Sequence, residues 1–456
     1  MQSSTLFIVI AALTLVSFYT GRSRAQQARN SERLLSLPAQ YGYMTAIWSA
    51  LPAIILLLAW LAIEPGYLNH RIIASLPVSI TDQPGEAVNL YVNNVLLAVG
   101  NGGVSDDPTI EAAAAVYMEA KSTSRMLLSA LVMILSLSGI LFALTRYLTR
   151  QHARKRVEAV VRTALMLCSA VAIVTTVGIV LSVLFEALRF FDSVSVIDFV
   201  FGTSWSPQTA IRADQVGSSG SFGAVPLFVG TVLISLIAMV IAVPVGLLTA
   251  IYLSEYASRK FRSTAKPILE ILAGIPTVVY GFFAALTVAP FIRELGASVG
   301  LDVASESALA AGIVMGVMII PFVSSLSDDV INAVPQAMRD GSLALGATQS
   351  ETIKQVIIPA ALPGIVGGVL LAASRAIGET MIVVMAAGLS ANMTVNPLEA
   401  VTTVTVQIVT LLTGDQEFDS PKTLAAFALG LMLFVSTLLL NVVALHIVRK
   451  YREQYE

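Results

Sequence analysis

The sequence predicts an all-α polytopic membrane protein with about nine transmembrane helices. Of its 456 residues, 56% are apolar and only 12% are charged, whereas soluble domains carry roughly 25% charged and 45–50% apolar residues. The mean hydropathy of +0.81 indicates a chain that spends most of its length in lipid. Its long unbroken apolar runs favour helices over barrel strands, because barrel strands alternate apolar and polar residues.

Nine stretches are long enough to span a bilayer, since a spanning helix needs about 20 apolar residues. They cover residues 4–20, 43–63, 126–146, 163–187, 226–252, 268–291, 308–326, 362–388 and 423–447. Three belong to an N-terminal extension, 1–150, and six to a core, 155–456. Segment 64–125 contains two runs expected as helices on the membrane surface, VNLYVNNVLLAV and IEAAAAVYMEAK. The extension is interpreted as an accessory structural domain.

The basic residues predict the orientation of these spans, because Lys and Arg accumulate in cytoplasmic loops. Of the 27 basic residues, 19 fall in loops on one side, seven fall on the other, and Arg375 lies within the eighth span. This bias predicts an outside N-terminus, a cytoplasmic C-terminus, and outside segments at 64–125 and 389–422. The arginines follow the first apolar run, while the start MQSST is uncharged. That order predicts a retained anchor rather than a signal peptide.

Several classes of function are excluded by the composition. One cysteine, Cys168, cannot form a disulfide framework or a thiolate metal cluster, and the three histidines lie far apart in the chain. A net charge of −2 argues against a nucleic-acid binder. No G-x-x-x-x-G-K-S/T phosphate loop, H-E-x-x-H helix or G-x-S-x-G elbow occurs. We therefore expect no catalytic residue, no metal and no cofactor in this chain.

The loop between the seventh and eighth spans, 327–360, has the punctuation of two short helices. Pro335 suits the first turn of the first helix, expected at 335–345. Gly346 suits its left-handed exit. The first helix carries small residues that let another protein surface approach closely: Gly341, Ser342 and Ala344.

The second helix of the loop begins with a capping-box spacing, Thr348 followed by Glu351. Pro359 is expected to end it, because proline inside a helix removes a hydrogen bond. The acidic pair at the start of the loop, Asp328 and Asp329, is interpreted as an ordinary helix start. From this hairpin alone, an interfacial structural element is the simplest interpretation.

The spacing within the loop resembles the EAA loop of ABC importer permeases. The family pattern is Glu-Ala-Ala, three residues, Gly, nine residues, then Ile-x-Leu-Pro. This chain has Asp340-Gly341-Ser342, three residues, Gly346, nine residues, then Val356-Ile357-Ile358-Pro359. The resemblance implies that helix 335–345 is a coupling helix that docks on an ATP-hydrolysing subunit. It assigns coupling roles to Asp340, Gly341, Ser342, Ala344, Gly346 and Pro359.

Further motifs are similar to the PstC-type permease subunits of phosphate ABC importers. They are FGTSWSP (201–207), the stretch 223–257, AGIPTVVYG (273–281) and SRAIGETM (374–381). The resemblance covers about 155–450 and implies a six-helix type I permease core in a cell inner membrane, preceded here by a three-helix N-terminal extension. It also implies a partner ATPase dimer that binds ATP-Mg, a PstA-type second permease subunit, and a periplasmic phosphate-binding protein.

Arg375 is the one basic residue inside a predicted span, and an intramembrane charge normally faces a partner or a water-filled path. Glu379 lies four residues later, which predicts one helical face and an ion pair. One interpretation is a buried ion pair whose sole role is to orient helices. In the other, Arg375 attracts the passing oxyanion, and Glu379 keeps the site from binding it too tightly. The resemblance favours the second interpretation, because the family's Arg-Ala-x-Gly-Glu motif matches at Arg375, Gly378 and Glu379. Ser374 and Thr380 would add hydroxyl contacts.

The leading interpretation is a transport subunit without its own ATPase, taking up phosphate. An alternative within the class is a permease for another oxyanion, such as molybdate, sulfate or phosphonate. Two alternatives come from other classes. An ion-coupled secondary anion transporter often shows an internal repeat, and no repeat is evident in this sequence. An anion channel would need no partner ATPase. Reconstituted transport separates these classes, because only the importer depends on ATP and partner proteins.

Overall fold

The computed structural model describes residues 3–29, 34, 36–77, 80, 85–100, 102, 104–105, 107–146, 153–207, 220–413 and 420–452. Nine helical segments within them are long and apolar enough to cross a membrane. This confirms the predicted all-α polytopic fold with nine spans. Parts of the predicted outside segments, including 414–419, lie outside the described residues.

The helices are numbered in chain order. The first part of the chain forms α1 (Ser3–Arg29), α2 (Pro38–Ser75), α3 (Gly85–Gly100), α4 (Pro108–Arg146) and α5 (Ala153–Phe191). The middle forms α6 (Val196–Phe201), α7 (Val225–Ile251), α8 (Arg259–Gly274), α9 (Thr277–Phe283), α10 (Ala289–Ser298) and α11 (Ala308–Ala333). The last part forms α12 (Gln336–Ala344), α13 (Gln349–Thr352), α14 (Ile358–Ile377), α15 (Met381–Ala386), α16 (Val404–Leu412) and α17 (Pro421–Arg452).

Two smaller features interrupt this helical pattern. Three π-helical turns continue α7, join α9 to α10, and join α13 to α14: Tyr252–Tyr256, Ala284–Val288 and Ile353–Ile357. A two-residue antiparallel ladder pairs β1 (Trp205–Ser206) with β2 (Ser221–Phe222). The ladder brings the Trp205 and Phe222 rings together with centroids 6.0 Å apart.

The chain folds into two compact units, Met1–Val174 and Thr175–Glu456. The boundary between the two units, after residue 174, falls inside α5, which runs without a break from Ala153 to Phe191. The sequence placed the boundary earlier, between 150 and 155. The division into an extension, 1–150, and a permease core, 155–456, stays a prediction.

In the first unit, α2 and α4 have 38 and 39 residues. Each is therefore about 57 Å long, nearly twice the thickness of the bilayer hydrocarbon. The alanine-rich run 110–121 forms the first turns of α4, so the expectation of a separate surface helix there is wrong. The other run, 88–99, does form its own helix, α3. The two long helices meet at a buried hydrogen bond between the Ser49 and Ser136 hydroxyls, 2.8 Å apart.

In the second unit, α11 lies at the centre. Of its most apolar 18 residues, 61% are buried, compared with none in α5. Two glycines let α11 approach α7 closely. A Cβ on Gly312 would lie 2.6 Å from the Ile237 side chain, and one on Gly316 would lie 3.0 Å from the Ala238 carbonyl oxygen.

The predicted sixth span, 268–291, has the wrong boundaries. Its first part belongs to α8, which carries basic residues and has no buried residue in this chain. Pro276 separates α8 from the spanning segment, Thr277–Ser298. Proline lacks a backbone N–H and disfavours a helical conformation in the preceding residue, so the helix ends there.

Candidate substrate path and coupling loop

The predicted eighth span, 362–388, is broken near its middle. After α14, Gly378 caps the helix, and Glu379 and Thr380 are non-helical before α15 begins. The break takes Glu379 off the helical face of Arg375. Among the ion pairs of the described residues, none joins these two side chains within 4.0 Å. The expected ion pair is therefore wrong.

The Arg375 guanidinium lies over the ring of Phe322 on α11, with its Cζ 5.8 Å from the ring centroid. Arg375 is exposed on the surface of the second unit. In the part of the chain that the structure describes, its side chain makes no hydrogen bond and no ion pair. A cation within about 6 Å of a ring face is attracted to the ring, and the N–H groups of the guanidinium can still bind an anion. The arrangement suits an oxyanion ligand.

Glu379 is buried, with 9% of its surface exposed. Its Oε1 accepts a hydrogen bond from the Met381 backbone N–H at 3.2 Å, which fixes the start of α15. The Glu379 backbone oxygen accepts a bond from Thr405 Oγ1 at 2.9 Å. Ser374 and Thr380 flank the break, and both are half-buried. Glu379 therefore orders the break, whereas Arg375 remains open.

The AGIPTVVYG motif holds α15 in place through α9. A Cβ on Gly281 would lie 2.8 Å from the Met385 sulfur and 3.0 Å from the Met381 carbonyl oxygen. The Tyr280 hydroxyl donates to the Leu272 carbonyl oxygen at 2.9 Å, bridging the break between α8 and α9. The glycine thus permits the close approach of α15, and the tyrosine supports the helix on which it packs.

The FGTSWSP motif, 201–207, is joined to this region by a hydrogen bond that sequence reasoning missed. Trp205 Nε1 donates to Gln407 Oε1 at 2.9 Å, and Gln407 Nε2 donates to the Leu389 carbonyl oxygen at 3.1 Å. Gln407 is buried on α16, two residues after Thr405, which bonds the break. A single glutamine whose partner is 202 residues away gives no local signal.

The coupling loop contains the first predicted helix, α12, with a small change at its start. Pro335 is the N-cap, so the helix begins one residue later than expected. Gly346 has a φ of +90°, which confirms the left-handed exit. Its N–H bonds the Leu343 carbonyl at 3.0 Å, and the Ala347 N–H bonds the Ser342 carbonyl at 3.2 Å. This pair of bonds is the Schellman motif that glycine favours.

The second predicted helix, α13, has the expected capping box. The Thr348 N–H donates to Glu351 Oε2 at 2.8 Å, and the Glu351 N–H donates to Thr348 Oγ1 at 3.3 Å. The expectation that Pro359 ends this helix is wrong, because the chain continues through a π-helical turn into α14. Pro359 is the second residue of α14, where its missing N–H costs little.

The surface of α12 is open, since none of its residues is buried within this chain. A Cβ on Gly341 would meet no heavy atom within 4 Å. Ser342 Oγ lies 2.9 Å from Thr352 Oγ1 and so ties α12 to α13. The open surface includes Asp340, Gly341, Leu343, Ala344 and, just beyond the helix, Leu345.

Asp328 lies near the end of α11, so its interpretation as a helix start is wrong. Its side chain is 3% exposed and accepts bonds from Arg262 Nη2 at 2.9 and 3.0 Å and from Lys266 Nζ at 2.9 Å. The hydrogen bond that Lys266 donates to Asp328 raises the pKa of Lys266. Its partners lie 66 and 62 residues away, so spacing does not reveal them. Among the described residues, no His, Cys, Asp and Glu cluster could hold a metal ion.

Two family models match the chain. Residues 7–175 match the family described as a phosphate ATP-binding cassette transporter. Residues 242–453 match the binding-protein-dependent transport system inner membrane component. The second match includes both the broken span and the coupling loop.

Individual relatives match more than half of the chain. The probable ABC transporter permease YqgH of Bacillus subtilis is 31% identical over 296 residues, 64% of this chain and 92% of the relative. The phosphate transport permease PstC 1 of Mycobacterium tuberculosis is 34% identical, with coverages of 56% and 82%. PstC of Mesorhizobium japonicum is 32% identical, with coverages of 64% and 87%. The chain is a multi-pass inner membrane transport subunit, and it belongs to the PstC-type permeases of phosphate ABC importers.

Proposed function

We propose that this chain moves inorganic phosphate inward as a permease subunit, with Arg375 attracting the anion. The observation that carries this role is a guanidinium beside a helix break with no ionic partner among the described residues. An intramembrane arginine costs at least about 2.5–3.5 kcal/mol on insertion scales, so it normally faces a partner or a water-filled path. The exposure of the Arg375 side chain on the second unit supports such a path beside it.

The geometry supports a guanidinium, rather than a lysine, as the anion-binding group. Arg375 is charged at any physiological pH, and its planar fork can bind two phosphate oxygens at once. The Phe322 ring lies on one side of the guanidinium, with its centroid 5.8 Å from Cζ, and attracts the positive charge. Glu379 adds negative charge to the same segment, which keeps binding weak enough for the ion to leave. Ser374 and Thr380, on either side of the break, supply further hydroxyl contacts.

In this proposal the α12 surface docks on an ATPase dimer that binds ATP-Mg. The open face of α12 supports this, since it carries exposed apolar side chains, Leu343 at 50% and Leu345 at 92% exposure. A PstA-type second permease subunit completes the path, and a periplasmic phosphate-binding protein delivers the ion. The N-terminus lies outside and the C-terminus in the cytoplasm, in agreement with the bias of basic loop residues.

The test is uptake by liposomes that contain the complete complex. We expect entry of radiolabelled phosphate only with ATP inside and the binding protein outside. Molybdate, sulfate and phosphonate are added as competitors at equal concentration. Flux from this chain alone would contradict the importer. ATP-driven uptake of labelled molybdate, sulfate or phosphonate, with no uptake of labelled phosphate, would assign the path to that other oxyanion.

A further inference from the structure

The coupling helix α12 is held to its own chain by polar contacts and not by a buried apolar face, because none of its residues is buried. Arg339 makes most of these contacts. Its Nη1 donates to the Val334 carbonyl oxygen at 2.5 Å, and its Nη2 donates to the Ile331 carbonyl oxygen at 2.7 Å. Both carbonyls lie at the C-terminal end of α11, where carbonyl groups lack the donor four residues later that a helix interior supplies. Arg339 therefore joins α12 directly to the central helix of the second unit.

The same guanidinium also reaches a second spanning helix. Arg339 Nη2 lies 3.1 Å from Glu255 Oε1, on the π-helical turn that continues α7. The two side chains are only 13% and 12% exposed. The Glu255 backbone oxygen in turn accepts a bond from Gln349 Nε2 on α13 at 2.6 Å. Glu255 thus contacts the segments on both sides of the Gly346 exit.

A third contact connects this turn with the Asp328 cluster. Asn332 on α11 donates to Asp328 Oδ1 at 2.9 Å, and its Oδ1 accepts from Arg262 Nη1 at 3.3 Å. The Ser254 hydroxyl lies 3.4 Å from the same Asn332 oxygen. The polar layer, defined as Glu255, Arg262, Lys266, Asp328, Asn332 and Arg339, therefore links the ends of α7, α8 and α11 to the coupling helix.

We propose that Arg339 and Glu255 are positioning residues that make α12 move as one body with the ends of α7 and α11. This inference rests on the proposed function, because it concerns how movement of a docked ATPase would reach the spanning helices. A largely buried ion pair with three further hydrogen bonds has a fixed geometry, and leaving one charge unpaired is costly. Without the pair, α12 would remain a helix but could pivot at Pro335 and Gly346 without moving α7.

The experiment measures phosphate transported per ATP hydrolysed by the complete complex in liposomes. The variants are Arg339→Gln, Glu255→Gln and the double variant, and Lys354→Gln is the control. Lys354 lies in the same loop and is exposed, so its variant removes one positive charge, as Arg339→Gln does, without breaking the pair. We expect each single variant to lower the transport ratio about tenfold. The amount of bound ATPase should stay within about twofold of wild type.

The double variant distinguishes a shared link from two separate effects. If both residues act through one contact, the double variant should be no worse than either single variant. A wild-type transport ratio in both single variants would overturn the inference. Additive losses, or loss of the ATPase from both complexes, would also overturn it, since the pair would then serve folding or docking. Failure of the proposed function is recognised separately, because the wild-type complex would then show no ATP-driven phosphate uptake.

Discussion

Replacing Gly341 with tryptophan tests whether the open face of α12 docks on the ATPase. The change should not harm this chain, because a Cβ there meets no heavy atom within 4 Å. Glycine is also a poor helix former, so α12 should gain about 0.5 kcal/mol in helix propensity. In a close-packed interface, however, an added indole costs about 1–3 kcal/mol. That cost weakens ATPase binding roughly 5- to 150-fold.

The assay compares ATPase affinity in detergent with ATP-driven phosphate uptake in liposomes. The matched control is Gly66→Trp, because Gly66 is also helical and a Cβ there also meets nothing within 4 Å. We expect Gly341→Trp to lose affinity and uptake together, at an unchanged melting temperature, while Gly66→Trp keeps both. Wild-type affinity and uptake in Gly341→Trp would refute the placement of the docking surface on α12.

Two further predictions concern topology and the contact between the FGTSWSP motif and α16. In a Cys168→Ser background, a single cysteine at residue 85 should react with an impermeant thiol reagent on intact cells. Single cysteines at 155 and 340 should react only after lysis. The reverse labelling pattern would contradict the predicted orientation. Gln407→Leu removes the acceptor of a buried indole N–H and should cost about 1–3 kcal/mol, seen as a lower melting temperature. Equal melting temperatures for Gln407→Leu and wild type would contradict the importance of this bond.

The features that the sequence predicts well are those with local causes. The nine spans follow from apolar runs of bilayer length, which need no knowledge of the tertiary fold. The capping box of Thr348 and Glu351 and the left-handed Gly346 also depend only on residues three or four positions apart. Within the coupling loop, the exit of α12 and the start of α13 therefore agree with the sequence prediction.

The features that it misses depend on contacts between distant segments. SRAIGETM looks like a continuous helix, and the break after Gly378 is supported by Thr405, which bonds the Glu379 backbone from α16. Pro359 looks like a helix end in the sequence, but a π-helical turn before it places it at the start of α14. The ion cluster at Asp328 uses partners more than 60 residues away. Helix period and spacing carry no information about such pairs.

The central claim is that Arg375 attracts the transported anion, and the most direct measurement is ATP-driven phosphate uptake by Arg375 variants in the reconstituted complex. Arg375→Gln should abolish uptake while the complex assembles normally, because a neutral amide cannot attract an anion. Arg375→Lys should restore uptake only in part, because lysine cannot form the two-pronged contact. Arg293→Gln, at an exposed arginine of α10, should transport like the wild type. Normal uptake by an assembled Arg375→Gln complex would contradict the claim.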